Sequence, residues 1–392
     1  MPWKRLLSYS CYCVLLHLIL LQMSGFKELG IADDFVKGLS EMGITVPTSI
    51  QKEVIPALID NDGDLIGQAQ TGTGKTAAFG LPLLHKIRPE QNQVQALVLS
   101  PTRELGQQIS KQLFKFTKYS NKIFSEAVYG GEKIDKQISR LTRPTHVIVA
   151  TPGRLIDLIQ RKAVNLDAVR IVVLDEADEM LSMGFKKELD EILSKLSSVK
   201  NKWLFSATMP HGVKEIANKF LSTEAKRIEV SKDNIVNKNI EHQYVVCEEV
   251  DKLNIITQFL KTQKGNRGLV FCRTKSATEK LAKQLQAKNF AVDGIQGDMQ
   301  QKERDKVMRA FKNDTIHTLV ATDLAARGID VPDLAYVVHY QLPDKDEYFT
   351  HRSGRTARAG KKGISLVLAT THELRNVRFY EKSLGLVFKQ VR

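Results

Sequence analysis

The chain has 392 residues, 42% hydrophobic and 26% charged, a composition normal for a globular protein and a length suited to two domains of ordinary size. Lys and Arg outnumber Asp and Glu by 58 to 44, leaving +14, which suits nucleic-acid binding and a basic enzyme equally. The four cysteines, Cys11, Cys13, Cys247 and Cys272, have no zinc-like spacing and are too few for a disulfide framework, which points to a reducing compartment.

Residues 1–22 stand apart. Leu6 to Leu21 carries no Asp, Glu, Lys or Arg and follows Lys4-Arg5, the pattern of a signal peptide. The run is short for a membrane span, contains Ser8, Ser10 and His17, and is followed by no A-x-A site. The sequence changes character at Met23. This segment reads as the product of a misplaced start codon, with a signal-like segment or an anchor as the alternatives.

From about Ile50, short apolar runs alternate with helical periodicity. Asp64–Gly67, Ala96–Ser100, His146–Ala150, Ile171–Leu174 and Lys202–Ser206 are rich in β-branched residues and bounded by Gly, Pro, Asp or Thr. Such runs predict strands buried on both faces, hence a parallel sheet covered by helices such as Glu104–Tyr119 and Gly212–Leu221. Arg227 to Asn239 is polar and reads as a linker. The rhythm resumes with Gln243–Val246, Gly268–Phe271, Thr318–Ala321, Tyr336–His339 and Ile364–Leu368. The expectation is an α/β protein of two doubly wound domains, 24–227 and 240–392, joined by 228–239. Ligands then belong at the carboxyl ends of the strands.

The residues with chemistry fall there. Ala69-Gln70-Thr71-Gly72-Thr73-Gly74-Lys75-Thr76 lies between a predicted strand and a helix and reads as a phosphate loop. Backbone N–H groups from Thr71 to Gly74 surround phosphate oxygens, Lys75 adds a charge and Thr76 offers a hydroxyl to Mg2+. Asp175-Glu176-Ala177-Asp178 follows the run Ile171–Leu174. There Asp175 can hold Mg2+ and Glu176 can deprotonate an attacking water. His351 to Gly360 supplies positive charge through Arg355 and Arg358, three apart and expected on one helical face. An arginine finger contributes roughly 10³–10⁵ in rate. ATP hydrolysis is the implied reaction, with ATP and Mg2+ as cofactors, and it implies a cytoplasmic protein with no membrane association.

These blocks stand in an order that resembles the DEAD-box RNA helicases, in the minimal two-domain form of the bacterial type, from about Phe26 to Leu368. The resemblance implies two tandem RecA-like domains, each a parallel sheet flanked by helices, and RNA-stimulated ATP hydrolysis coupled to local strand separation. Gly43 to Gln51 matches the family's adenine-reading segment, with Gln51 reading the base and Phe26 stacking on it; Asp330 matches the residue that approaches the ribose. Ser206-Ala207-Thr208, with Asp178 and His351, matches the elements that couple hydrolysis to strand opening.

Further segments look like the family's RNA-contacting loops. In the first domain they carry Pro101, Thr102 and Arg103, then Gly130 and Gly131, then Thr151, Gly153 and Arg154. In the second they carry Arg273 and Thr274, then Arg304, then Thr322. Arg, Thr and glycine N–H groups suit phosphate and ribose oxygens, and the scarcity of aromatics among them implies weak sequence preference. A monomer acting on single-stranded RNA or short duplexes is expected. Ala357 stands where the family often has Gly, a change that a helix would tolerate. The chain stops at Arg392 without a basic tail, so targeting by one is not expected.

Overall fold

The computed structural model describes residues 25–70, 72–120, 122–196, 198–230, 239–326, 331, 334–343, 346–357 and 361–391. Residues 1–22, Thr71, Asp330 and Arg358, singled out above, lie outside the described residues. The chain divides into two compact units, the first ending at Val230.

The first unit holds seven strands: β1 (Leu65–Gln68), β2 (Ala96–Leu99), β3 (Ser125–Val128), β4 (Val147–Ala150), β5 (Ile171–Leu174), β6 (Asn201–Ser206) and β7 (Lys226–Glu229). They form one sheet in the order β3-β4-β2-β5-β6-β1-β7, and every pair is parallel. The second unit holds β8 (Ile240–Val246), β9 (Gly268–Phe271), β10 (Val292–Ile295), β11 (Thr318–Ala321), β12 (Tyr336–His339), β13 (Gly363–Ala369) and β14 (Phe388–Gln390). Its order, β10-β11-β9-β12-β13-β8-β14, is the first unit's with seven added to each number, again wholly parallel.

Alternation along the strands explains why helices cover both faces. Ala96, Val98, Val147, Val149, Ile171 and Val173 belong to one apolar cluster. Their neighbours Leu97, Leu99, Ile148, Ala150, Val172 and Leu174 belong to another on the opposite face. The helix Arg103–Phe116 closes one of these faces. It starts where the Thr102 hydroxyl accepts from Leu105 N at 3.3 Å, and it buries Leu105, Ile109, Leu113 and Phe116 at helical spacing.

The apolar runs gave ten of the strands, within a residue or three at each end. Four were not expected: β3, β7, β10 and β14. β3 and β7 bound the first sheet, β10 and β14 the second, and each meets a neighbour on one side only. Edge position lets β7 read Lys-Arg-Ile-Glu, with Ile228 alone buried. The expected linker therefore begins too early, since its residues 228 and 229 pair with β1.

The second unit keeps two imidazoles out of water. His242, on β8, packs against Phe349 and Phe388, with ring centroids 5.9 and 5.3 Å away, and burial pushes its pKa down to about 4. His339, on β12, stacks on Phe349, and its Nε2 lies 3.2 Å from both the Ser353 and Ser365 hydroxyls. Burial first, then the charge of Arg352, holds it well below the usual imidazole range. Between the ordinary value of 6.5 and about 4, the unfolded chain binds a proton at His242 that the folded chain refuses. Stability therefore rises with pH across that window and is lost as pH falls through it. Thermal melting from about pH 7 to about pH 5 should drop by several degrees in the native protein and by less in His242→Leu, which has no proton to gain. Equal drops would show that His242 does not carry the effect.

Candidate functional site

Parallel pairing puts the carboxyl ends of all seven strands of the first sheet on one edge, and strand order sorts what emerges there. β5, β6 and β1 are consecutive, with Gln68 opposite Ser206 and Leu174 opposite Leu204. The phosphate loop, the Asp175 segment and the Ser206 segment therefore leave the sheet side by side. β3, β4 and β2 are also consecutive, so the segments at Gly130-Gly131, Thr151–Arg154 and Pro101–Arg103 leave together on the other half.

The phosphate loop is tied at both ends. Ala69 N donates to Ser206 O at 3.1 Å, and Lys75 Nζ donates to Ala69 O at 2.7 Å. Lys75 is buried and opens the helix Lys75–His85, whose N-cap Gly74 is left-handed at φ +91°. Only glycine fits there, because a Cβ would lie 2.4 Å from Gln51 Nε2 as well. The helix start thus presents free N–H groups and a positive dipole end, a setting for anions. Gly72 is exposed; Thr73 and Thr76 are partly exposed.

Gln51 braces this loop from below. It is buried, accepts from Thr48 N at 2.9 Å and donates from Nε2 to Gly74 O at 3.0 Å. One amide proton and one lone pair are left for a ligand. Phe26 is placed differently from the expectation. Its ring is 1% exposed and packs in the core with Ile31 and Phe35, so its faces are already covered by protein.

At the end of β5, Asp175 is buried and accepts from Glu176 N at 3.0 Å. Burial raises its pKa to about 7, opposed by the charge of Lys75 and reinforced by Glu176 and Asp178. A carboxylate so placed favours a nearby cation. Asp175 and the Thr76 hydroxyl are hard oxygen donors, and among the described residues no cluster of three or more His, Cys, Asp or Glu exists to cage a metal. That donor set fits Mg2+, which keeps waters and phosphates among its ligands.

Glu176 adopts φ +51°, ψ +53°, strained for a residue with a side chain, and N-caps the helix Ala177–Ser182. Asp178 joins the third segment. Its Oδ2 accepts from Thr208 N at 2.9 Å and from Thr208 Oγ1 at 2.8 Å, and its own N–H donates to Ser206 Oγ at 3.2 Å. Ser206 Oγ in turn donates to Thr208 O at 2.7 Å. Asp178, Ser206 and Thr208 thus form one hydrogen-bonded knot beside the loop's anchor at Ala69.

On the other half of the edge, Gly130 and Gly131 are exposed, and Arg103 is partly so, its Nε donating to Glu104 at 3.0 Å. Pro101 and Thr102 are buried. Thr151 precedes the helix Pro152–Gln160 without capping it by its side chain. A Cβ at Gly130 or Gly153 would meet nothing within 4 Å, so their lack of a side chain is not explained by packing. Arg154 donates from Nη2 to Glu132 O at 3.1 Å and lies 3.8 Å from Asp157; its buried Nε and Nη1 make no hydrogen bond among the described residues.

In the second unit, Arg273 and Thr274 are exposed after β9, with Thr274 capping the helix Lys275–Gln286 through Ala277 N at 3.1 Å. Thr322, after β11, is buried. Arg304 is also buried, and its Nη2 donates to Ala325 O at 2.9 Å, which makes it a tie between elements.

The arginine block departs from the expected single helix. The helix Asp346–Ser353 carries His351, partly exposed, and ends before Arg355, which sits in the following turn, partly exposed. Ala357 has φ +55°, so the backbone that follows Arg355 is not helical. Left-handed backbone costs an L-residue about 1–2 kcal/mol, which gives the family's glycine at this place its reason. Thr356 anchors the turn by donating to Leu334 O.

Arg352, not among the site residues expected from the sequence, is 1% exposed. Its Nε and Nη2 grip the two oxygens of Asp323 at 2.5 and 2.6 Å, Nη1 donates to Gln341 O at 2.7 Å, and the guanidinium lies over Phe271 at 5.0 Å. Gln341 Oε1 accepts from Arg273 N at 2.9 Å. Arg352 therefore joins the end of β9 to the segments after β11 and β12, and Gln341 extends the tie to Arg273. The only sequence signal of Arg352 was its place beside His351.

The family model for DEAD/DEAH box helicases matches residues 48–216, and that for the helicase conserved C-terminal domain matches 251–360. The chain is 42% identical over 361 residues to the DEAD-box ATP-dependent RNA helicase CshA of Bacillus cereus, covering 92% of this chain and 68% of that protein. For CshA of Bacillus subtilis the figures are 41% over 358 residues, 91% and 72%. Among solved structures, S. cerevisiae Dbp5 bound to RNA and ADP BeF3 matches with a TM-score of 0.85 at 31% identity, covering 94% of this chain and 95% of that one. Mss116p bound to ssRNA and AMP-PNP matches with a TM-score of 0.83 at 28% identity, covering 93% and 78%. The chain belongs to the DEAD-box ATP-dependent RNA helicases.

Proposed function

We propose that ATP sits with its phosphates on the loop from Thr71 to Thr76 and that its hydrolysis drives local, non-processive opening of short RNA duplexes. The observation that carries this reading is the adjacency of β1, β6 and β5, which sets Lys75, Ser206 and Asp175 side by side at one sheet edge. Mg2+, held by Thr76 and Asp175, neutralises phosphate charge when bound. Lys75 binds the phosphates, and Glu176 orients the attacking water and takes its proton. Gln51 reads the adenine with its remaining donor and acceptor, and Asp330 serves the ribose. A base-stacking role for Phe26 requires its ring to leave the core.

Arg355 and Arg358 stabilise the transferring phosphoryl group, so turnover needs both units. The Asp178–Ser206–Thr208 knot, with His351, passes the state of the phosphate site to the RNA-binding segments. RNA is held by its backbone along Arg103, Gly130, Gly131, Thr151, Gly153 and Arg154 in the first unit. In the second, Arg273, Thr274 and Thr322 do the same, with Arg304 bracing the segment after β11. The unexplained open space above Gly130 and Gly153 supports close approach of a sugar–phosphate chain. Among the described residues of the first unit the exposed aromatics, Phe114, Tyr119 and Phe124, lie before β3 or late in the helix leading to it, away from the carboxyl edge. Base stacking, and with it sequence preference, is therefore weak. Recognition of the 2′-hydroxyl selects RNA over DNA. Among the described residues no helix is long and apolar enough to cross a membrane. The setting we propose for action on RNA is the cytoplasm.

Phosphate release with and without single-stranded RNA tests the catalytic assignment. Lys75→Ala and Glu176→Gln should abolish the stimulated rate, and Arg355→Ala should lower it by roughly 10³ or more. Turnover at the native rate in any of them removes that residue from the reaction, and equal stimulation by single-stranded DNA removes the RNA assignment. RNA affinity should fall with salt, with a log–log slope of about −0.7 for each phosphate contacted; a flat response would exclude backbone recognition.

A further inference from the structure

The turn after β3 is held by a network that the assigned motifs do not include. Arg140, on the helix Ile134–Leu141, donates from Nη1 and Nη2 to Oε1 and Oε2 of Glu132 at 3.0 and 2.7 Å. Its Nε donates to Glu126 Oε1 at 2.6 Å. One guanidinium thus joins the strand before Gly130-Gly131 to the residue after them. Gln137, fully buried, repeats the clamp on the backbone. Its Oε1 accepts from Tyr129 N at 3.2 Å, and its Nε2 donates to Tyr129 O at 2.9 Å and to Glu132 Oε2 at 3.1 Å. The carbonyl of Glu132 then accepts from Arg154 Nη2 at 3.1 Å, tying the turn to the start of the helix Pro152–Gln160.

We propose that the Arg140–Glu132 fork is a positioning device for RNA, holding the Gly130-Gly131 turn at a fixed spacing from Thr151–Arg154 before the strand arrives. This rests on the reading of those two segments as RNA-facing. Two consecutive glycines, Gly131 at φ +90°, would otherwise be free to sample many backbone states. Ordering them in advance removes that cost from binding. A planar, two-pronged guanidinium suits the task because it fixes orientation as well as distance. The hydrogen bonds from Arg140 hold the Glu132 carboxyl down to about 2, so the pair stays charged over the working range of pH.

The test uses the full chain and a single-stranded oligouridylate. In Arg140→Leu the oligouridylate concentration giving half-maximal ATPase should rise roughly tenfold, the scale of one lost charge-assisted hydrogen bond. The rate at saturating RNA and the KM for ATP should stay at native values, a split that a general loss of structure would not produce. Arg140→Lys keeps the charge without the fork, and its half-saturation should fall between the two; it also carries the test if the leucine variant does not fold. Native half-saturation in both Arg140→Lys and Arg140→Leu, or a joint fall of maximal rate and melting temperature in Arg140→Lys, overturns the proposal. An unmodified protein that RNA does not stimulate would instead overturn the RNA reading on which it rests.

Discussion

A strand paired in parallel on both sides must send its chain back over a face of the sheet before the next strand can begin. In this protein that constraint applies to both sheets without exception, so every connection after a strand leaves from the same edge. The chemistry follows from which strands are neighbours. β5, β6 and β1 bring a buried carboxylate, a hydroxyl knot and a phosphate loop into one row, although β1 lies about 100 residues or more before the other two in sequence. The fixed register leaves little freedom to move one of them alone. Ala69 bonds to Ser206, and Ser206 bonds to Asp178, so a change at the phosphate loop has a short covalent and hydrogen-bonded route to the rest.

The row is also where the fold carries its unfavourable terms. Asp175 is a buried acid whose ordinary ionisation is resisted by desolvation. Glu176 sits in left-handed backbone immediately after it. Neither is needed to close the sheet, since the apolar faces of Val172, Val173 and Leu174 do that. Strain and a buried acid gathered on adjacent residues mark a functional site more than a stabilising contact.

What could be read from the sequence was whatever the two-sided burial of central strands writes into it. Ile171–Leu174 and Gly268–Phe271 were legible because every residue in them is buried. β3 and β7 were not, because an edge strand needs to bury one face at most and can be polar on the other. Gly74 and Lys75 were legible as a motif, while the Gln51 bond that makes Gly74 obligatory was not. The burial of Phe26 and the non-helical turn at Arg355 were hidden for a shared reason. A position within a motif says nothing of whether a ring is already covered, nor of whether the backbone beyond Ser353 is still helical. Arg140 and Glu132 left no signal, since eight residues of separation become a contact only once the turn and helix have formed.

The repetition of strand order between the units separates what both halves share from what only one has. After the second strand of each sheet the chain reaches an N-cap threonine, Thr102 in one and Thr274 in the other, each accepting from the amide three residues on. After the first strand the units diverge. β1 leads into Gly72 and Gly74, whereas β8 leads through Cys247 to Glu248 and Glu249, acids that would repel phosphate. After the fifth strand they diverge again. β5 ends on buried Asp175, while β12 leads to a helix carrying Arg352, whose charge is spent on Asp323, and then to Arg355. At this edge the threonine cap is therefore what the two sheets share, and the glycine-rich loop and the buried carboxylate belong to the first sheet, so a common fold carries different chemistry in each unit.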